Sequence, residues 1–468
     1  MKESRVQYLA KNTLIFAIGN LGTKAINFFM VPLYTYYLLT NEYGTVNLII
    51  TISTFLVPIL ICNINEAVMR FSLDKNANNH QIESTGLLFI VILTILSIAL
   101  YPLTRLYGPI EDYGWYLCIY LIGSGSSQIL LYILRGREKL LQFAIGSIIH
   151  AFSNAALSIL FIVVLKEGLE GYLNAQIMSA FITSIYAFIV SGAIKTICSF
   201  SINAKLVKNM LQYSIVLIPN SFMWWIMDSS DQLMLTSFIG VASTGLYGVA
   251  NKIPSLISIV SSIFNQAWNY SAIRENDSDD KETFNNNAYR YLCAFITLSG
   301  AILIVLIRPI MSIYVSEAYY SSWSFSPPLI IGTCFLVLAT FLSSQYTVNK
   351  DSKGFLFSST SGAIINIIFN LALIPIIGAI GAAISTCFSY IVVLLYRYFD
   401  IKKYITIKIF SFDCTVSYIT LILIGINSYN SLSIQLAISI ILLITLFLIN
   451  RNTIISFLQL GTRTLKHL

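Results

Sequence analysis

Apolar runs, each about one bilayer crossing long, follow one another along the chain and are parted by short segments rich in charge, proline or glycine. At 1.5 Å per residue, about 20 apolar residues make a helix that spans roughly 30 Å of hydrocarbon. That length predicts spans near 12–39, 43–69, 84–104, 113–134, 140–165, 171–194, 209–239, 241–273, 291–307, 318–349, 354–377, 378–396, 409–427 and 431–450. The expected architecture is therefore an all-α polytopic membrane protein of about fourteen transmembrane helices. The runs are continuous, whereas a membrane barrel alternates apolar and polar positions in segments of about ten residues. The first run carries Asn20, Lys24 and Asn27 and lacks a small-residue cleavage site, so it reads as a retained helix rather than a signal peptide.

Composition agrees: the 468 residues are 56% hydrophobic and 10% charged, with a mean hydropathy of +0.76. A soluble chain of this length would carry about 25% charge. Placing both termini in the cytoplasm puts all 28 basic residues on that side except Arg105, Lys166, Arg308 and the intramembrane Lys24 and Lys252. Such a bias fixes orientation, and it explains the net charge of +7 without nucleic acid. The seven cysteines are scattered without metal-ligand spacing and read as small hydrophobes.

The polar landmarks repeat. Tyr43, Gly44, Asn47, Asn65 and Arg70 recur 204 residues later as Tyr247, Gly248, Asn251, Asn269 and Arg274. Gly168–Gly171 recurs as Gly378–Gly381. An even number of intervening spans gives both copies one orientation, the organisation of transporters whose halves rock about a central cavity. The expected domains are a six-helix bundle over 1–208, its parallel repeat over 209–404, and two further helices with a cytoplasmic tail over 405–468.

Intramembrane polar residues concentrate on the repeat-equivalent helices. Asn20, Lys24 and Asn27 share one face of the first span, and Asn63, Glu66 and Arg70 one face of the second. Asp228, Asp231 and Gln232 lie on the seventh, and Tyr247, Asn251, Ser255 and Ser258 run along the eighth beside Lys252. Lys24 and Asp228 stand at equivalent positions with opposite charge. A charged residue at bilayer depth costs about 3 kcal/mol or more unless it faces a partner or a wet cavity. These residues are therefore cavity candidates: Lys24, Asn20, Asn27, Arg70, Asn251, Lys252 and Arg274 for an anionic cargo, with Asp228, Asp231 and Glu66 for a coupling ion. Each has a plainer reading as well. Lys24 with Asp228 could be a packing pair, Glu66 a partner of Arg70 at i+4, and Arg70 and Arg274 snorkelling residues. His150, alone in the fifth span, reads as a packing residue. No Walker A loop, metal cluster or nucleophile with a nearby base is present, so neither an enzyme nor a cofactor is expected.

The stretches PLYTYYLLTNEYG (Pro32–Gly44) and AVMRF (Ala67–Phe71), the set Pro219, Asp231, Gly240, Gly245, Tyr247 and Ala250, and NIIFNLALIPIIGAIGAAIST with Asn366, Asn370 and Pro375 resemble the Wzx-type flippases. These are the polysaccharide transporters of the multidrug/oligosaccharidyl-lipid/polysaccharide superfamily. The family often places a basic residue after the aspartate of the seventh helix, where this chain has Gln232. The resemblance implies a cargo of undecaprenyl diphosphate bearing an O-antigen or capsule-type oligosaccharide, moved across the bacterial inner membrane. It also implies membrane lipids, and a polysaccharide polymerase and chain-length regulator, as partners. A lipid II flippase and a drug or cation antiporter of the toxin-extrusion branch are the alternative readings. A membrane glycosyltransferase would need a larger extramembrane loop than the chain contains.

Overall fold

The computed structural model describes residues 5–74, 77–274 and 278–466, and every regular element among them is helical. In order these are α1 (Arg5–Tyr37), α2 (Thr40–Leu60), α3 (Ile64–Ser72), α4 (Asn79–Ala99), α5 (Tyr101–Thr104), α6 (Gly114–Gly136), α7 (Leu140–Ser158), α8 (Gly168–Ser191), α9 (Ala193–Cys198) and α10 (Ala204–Ile215). There follow α11 (Ile218–Phe238), α12 (Val241–Ala250), α13 (Lys252–Arg274), α14 (Lys281–Val305), α15 (Ile307–Tyr314), α16 (Ser326–Val348), α17 (Ser352–Ile377), α18 (Ala379–Asp400), α19 (Phe412–Asn427) and α20 (Leu432–Lys466). Two compact units emerge, Met1–Trp225 with Gly240–Gly245 and Ile226–Ile239 with Leu246–Leu468.

Among the described residues ten helices are long and apolar enough to cross a membrane, and a bent pair raises that to eleven. The fourteen expected spans all coincide with helices, but this test does not reach that count. Helix α19 is a short one of 16 residues, and α11 is diluted by Asn220, Ser221, Asp228, Asp231 and Gln232.

Two of the interruptions within expected spans have an identifiable reason. The run at 241–273 divides into α12 and α13 with a bend of 41°. Pro254 has no N–H to give the carbonyl of Ala250, four residues earlier, and its ring crowds that oxygen. The freed carbonyl instead accepts a hydrogen bond from the Ser326 hydroxyl at 3.3 Å. The run at 43–69 divides at Cys62 and Asn63, both left-handed at φ 51° and 50°. The N–H of Asn63 closes the end of α2 on the carbonyl of Pro58 at 2.9 Å, and its side-chain amide donates to Ser221 at 3.4 Å. Asparagine tolerates this conformation better than most residues.

In the first unit α6 packs against α8, α3 and α4, while α7 bridges α1 and α8. A buried Glu83 on α4 receives both Nε and Nη2 of Arg137 and the hydroxyl of Thr196. Arg137 also donates to the carbonyl of Ser191, tying the ends of α4, α6 and α8 together. In the second unit α18 lies against α16 and α17, and α14 carries α19 and α20. Helix α17 starts where Asp351 accepts the N–H of Gly354 at 2.9 Å, a side-chain N-cap. Lys403 and Tyr404 add contacts of 3.0 Å each. That N–H first, and then the Lys403 ammonium, hold the Asp351 carboxyl down to about 2.

Candidate ion and cargo site

The most developed polar constellation among the described residues centres on Asp231, on α11 in the second unit. Its side chain is 1% exposed. One carboxylate oxygen accepts the amide of Asn370 at 2.6 Å. The other accepts the hydroxyl of Tyr247 at 2.6 Å and that of Thr386. Asn366 joins by accepting Asn370 at 3.0 Å and Ser230 at 3.2 Å, and by donating to Thr386 at 3.4 Å.

Helical spacing assembles this cluster. Asn366 and Asn370 are four apart on α17 and so present one face, and α18 delivers Thr386 across the turn at Gly378, whose φ of 67° suits glycine. Tyr247 comes from α12, just before the Pro254 bend. Apolar Leu235, Leu329, Ile374 and Ala382 pack beside Tyr247 and exclude water from that flank. A buried carboxylate without donors would be prohibitively costly, and three charge-assisted hydrogen bonds offset that cost. One polar atom is left over: Oδ1 of Asn370, on a fully buried side chain, has no hydrogen-bond partner.

The cluster opens into a cavity of about 200 Å³. Asp228, Gln232, Asn251, Ser255, Ser258 and Tyr390 line it together with Asp231, Tyr247 and Thr386. The structure therefore gathers three of the sequence candidates, Asp228, Asp231 and Asn251, around one space. Asp228 is exposed and Asp231 is closed over.

The remaining candidates lie elsewhere. Lys252 is half-buried at the start of α13 and does not line this cavity. Lys24 and Asn27 are exposed on α1 in the first unit. The side chains of Asn20 and Arg274 fall outside the described residues. Arg70 corrects an expectation: its ion-pair partner is Asp74, at 2.6 Å, rather than Glu66. Both pairings satisfy i,i+4 spacing on a helix, but only the one toward the C-terminal end forms. Glu66 instead lies beside Tyr132. His150 meets Thr183 at 3.3 Å, a packing contact as expected.

Asn366, Asn370 and Thr386 were not among the sequence candidates for this site. Their signal was faint: two asparagines at i,i+4 in an otherwise apolar helix, with a hydroxyl in the next.

The family described as polysaccharide biosynthesis protein matches residues 9–269. A search of curated proteins gave no match. Among solved structures, the lipid II flippase MurJ in an inward closed conformation is similar at a TM-score of 0.72 and 17% identity, covering 95% of this chain and 100% of its own. An inward-facing multidrug resistance MATE transporter of the MOP superfamily is similar at 0.65 and 15% identity, covering 83% and 94%. A MOP superfamily transporter from Pyrococcus furiosus, with a binding pocket of reverse polarity, is similar at 0.57 and 14% identity, covering 84% and 96%. At these identities the structures establish the fold, the helical architecture of the MOP transporters, while the family match spans more than half of the sequence: this chain belongs to the polysaccharide biosynthesis protein family.

Proposed function

We propose that the protein flips an undecaprenyl-diphosphate-linked oligosaccharide, of O-antigen or capsule type, across the bacterial inner membrane by alternating access, with both termini cytoplasmic. A cation bound at Asp231 drives it. The observation that carries the coupling is the buried Asp231 carboxylate with the unpartnered Asn370 Oδ1 beside it. Carboxylate, amide and hydroxyl oxygens are the ligands a hard cation takes, and an ionisable group held in a membrane helix marks an ion path by default. A cation there would turn the hydroxyls of Tyr247 and Thr386 from donors to Asp231 into oxygen ligands, drawing α11, α12, α17 and α18 together. Asp228, exposed at the same cavity, is the entry carboxylate.

The anionic end of the cargo falls to the basic residues of the sequence repeat, Lys24, Lys252, Arg70 and Arg274, with Asn20, Asn27 and Asn251 for sugar hydroxyls. Glu66, four residues before Arg70 in the sequence, is a further coupling-ion candidate. A polymerase and a chain-length regulator are the expected partners downstream. The likeness to MurJ favours a lipid-linked sugar cargo over a free drug, and lipid II is the second cargo to test.

The decisive experiment uses the full chain in proteoliposomes loaded with a fluorescent undecaprenyl-diphosphate oligosaccharide, with inward sodium or proton gradients imposed separately. Movement should depend on one gradient. Asp231→Asn should lower the gradient-driven rate at least about tenfold, the equivalent of losing charge-assisted contacts, while gradient-free exchange persists. Gradient dependence unchanged in that variant would overturn the coupling role. Transport of lipid II, or of neither lipid, would overturn the cargo.

A further inference from the structure

The segment joining α8 to α11 holds a feature that flipping does not use. Helix α10 buries Met210 and Ser214 completely, against α3 and α4. Tyr213, on the same helix, meets Phe71 of α3 edge-on with ring centroids 6.0 Å apart. A third stripe, Val207, Leu211 and Ile215, faces Leu88 of α4 across an open groove of about 550 Å³, with Lys208 and Gln212 at its edge. Leu88 lies two turns inside an apolar span that begins at Asn79, so the groove floor is at hydrocarbon depth. The flanks are equally apolar and exposed: Ile197, Ile202 and Val216 are 53%, 46% and 73% exposed.

The charge of this region has one sign. Lys195, Lys205 and Lys208 are exposed, and the sequence holds no Asp or Glu between Glu170 and Asp228. The acids that neighbouring helices bring near are already engaged, Glu83 by Arg137 and Asp74 by Arg70. None of the three lysines forms an ion pair among the described residues. A helix with one apolar face toward acyl chains and lysines along its rim lies in the membrane interface and attracts anionic lipid.

We infer that the groove between α4 and α10 seats an anionic phospholipid, its acyl chain along Val207, Leu211, Ile215 and Leu88 and its phosphate at Lys205 and Lys208. The lipid closes the cytoplasmic side of the first unit where the protein leaves apolar surface uncovered.

The test is local. Benzoylphenylalanine replaces Gln212 in the full chain, held in nanodiscs of equal phosphatidylglycerol and phosphatidylcholine, and photoadducts on the α10 peptide are identified by mass spectrometry. Each lysine near an anionic surface contributes about tenfold or less, so a phosphatidylglycerol preference of roughly tenfold is expected. Lys205→Gln with Lys208→Gln should abolish the preference, and Leu211→Trp, which fills the groove, should reduce both adducts. Inorganic phosphate should not compete. Equal adducts in the parent, a preference that survives the double lysine change, adducts unaffected by Leu211→Trp, or displacement by phosphate alone would each overturn the lipid seat. Adducts to a co-purified protein in place of lipid would do so as well.

Discussion

Single residues decide how each unit holds its polar groups, and Asp351 shows this outside the membrane. Its carboxyl is held at about 2 rather than the ordinary 3.8 by the Gly354 N–H and Lys403. A carboxyl whose value falls on folding stabilises the folded state above its ordinary value and loses that contribution as pH drops through the lowered one. Asp351→Asn should therefore lower the thermal midpoint by a few degrees at pH 7. The gap should narrow between about pH 4 and pH 2, as followed by a fluorescence melt in detergent. Asp231, like Asp228 on the same helix, was legible from the sequence as an acid in an apolar helix, because bilayer cost makes any such residue conspicuous. Its partners were not. Asn370 and Thr386 lie 139 and 155 residues away, and an asparagine or threonine in a helix costs too little to stand out. The same limit misassigned Arg70: sequence offers Glu66 and Asp74 at equal spacing, and only the side-chain geometry chooses.

At the scale of elements, apolar length located the helices well and their interruptions poorly. A hydropathy window averages across Pro254 and across Cys62–Asn63, so each broken pair reads as one span. A second hidden feature is the close approach of two helix starts within the first unit. A Cβ added to Gly44 would lie 2.1 Å from the carbonyl oxygen of Val241, and one added to Gly245 would lie 2.1 Å from that of Thr40. Both obstacles are backbone, which cannot rotate aside. Gly44→Ala and Gly245→Ala should each destabilise the protein by about 1–3 kcal/mol through forced separation of α2 and α12. Gly108→Ala, whose Cβ would meet nothing within 4 Å, is the control and should melt as the parent does. Equal melting of all the variants would show that the two helix starts separate without cost.

For the whole molecule, the sequence carries orientation through charge and organisation through repetition, and both rest on many residues at once rather than on any one contact. This is why a sequence can express them where it hides individual partners. The proposed direction of transport depends on that orientation: a diphosphate cargo loaded in the cytoplasm must meet Lys24 and Arg70 from the side on which the basic loops lie. The orientation can be measured on single cysteines after replacing Cys198, the exposed native cysteine among the described residues, with serine. Lys166 lies exposed before α8 and Ile377 exposed at the end of α17, while Asp280 lies exposed before α14 and Lys402 exposed after α18. With both termini cytoplasmic, cysteines at 166 and 377 should react with an impermeant maleimide added to intact cells whose outer barrier has been opened. Those at 280 and 402 should react only after the inner membrane is permeabilised. The reversed pattern would put the basic loops outside, against the strongest regularity in the sequence, and cargo loading from the cytoplasm would fall with it. Mixed labelling within one pair would instead show that an expected span does not cross, with α1, α11 and α19, which are not among the ten or eleven candidate spans, the first to re-examine.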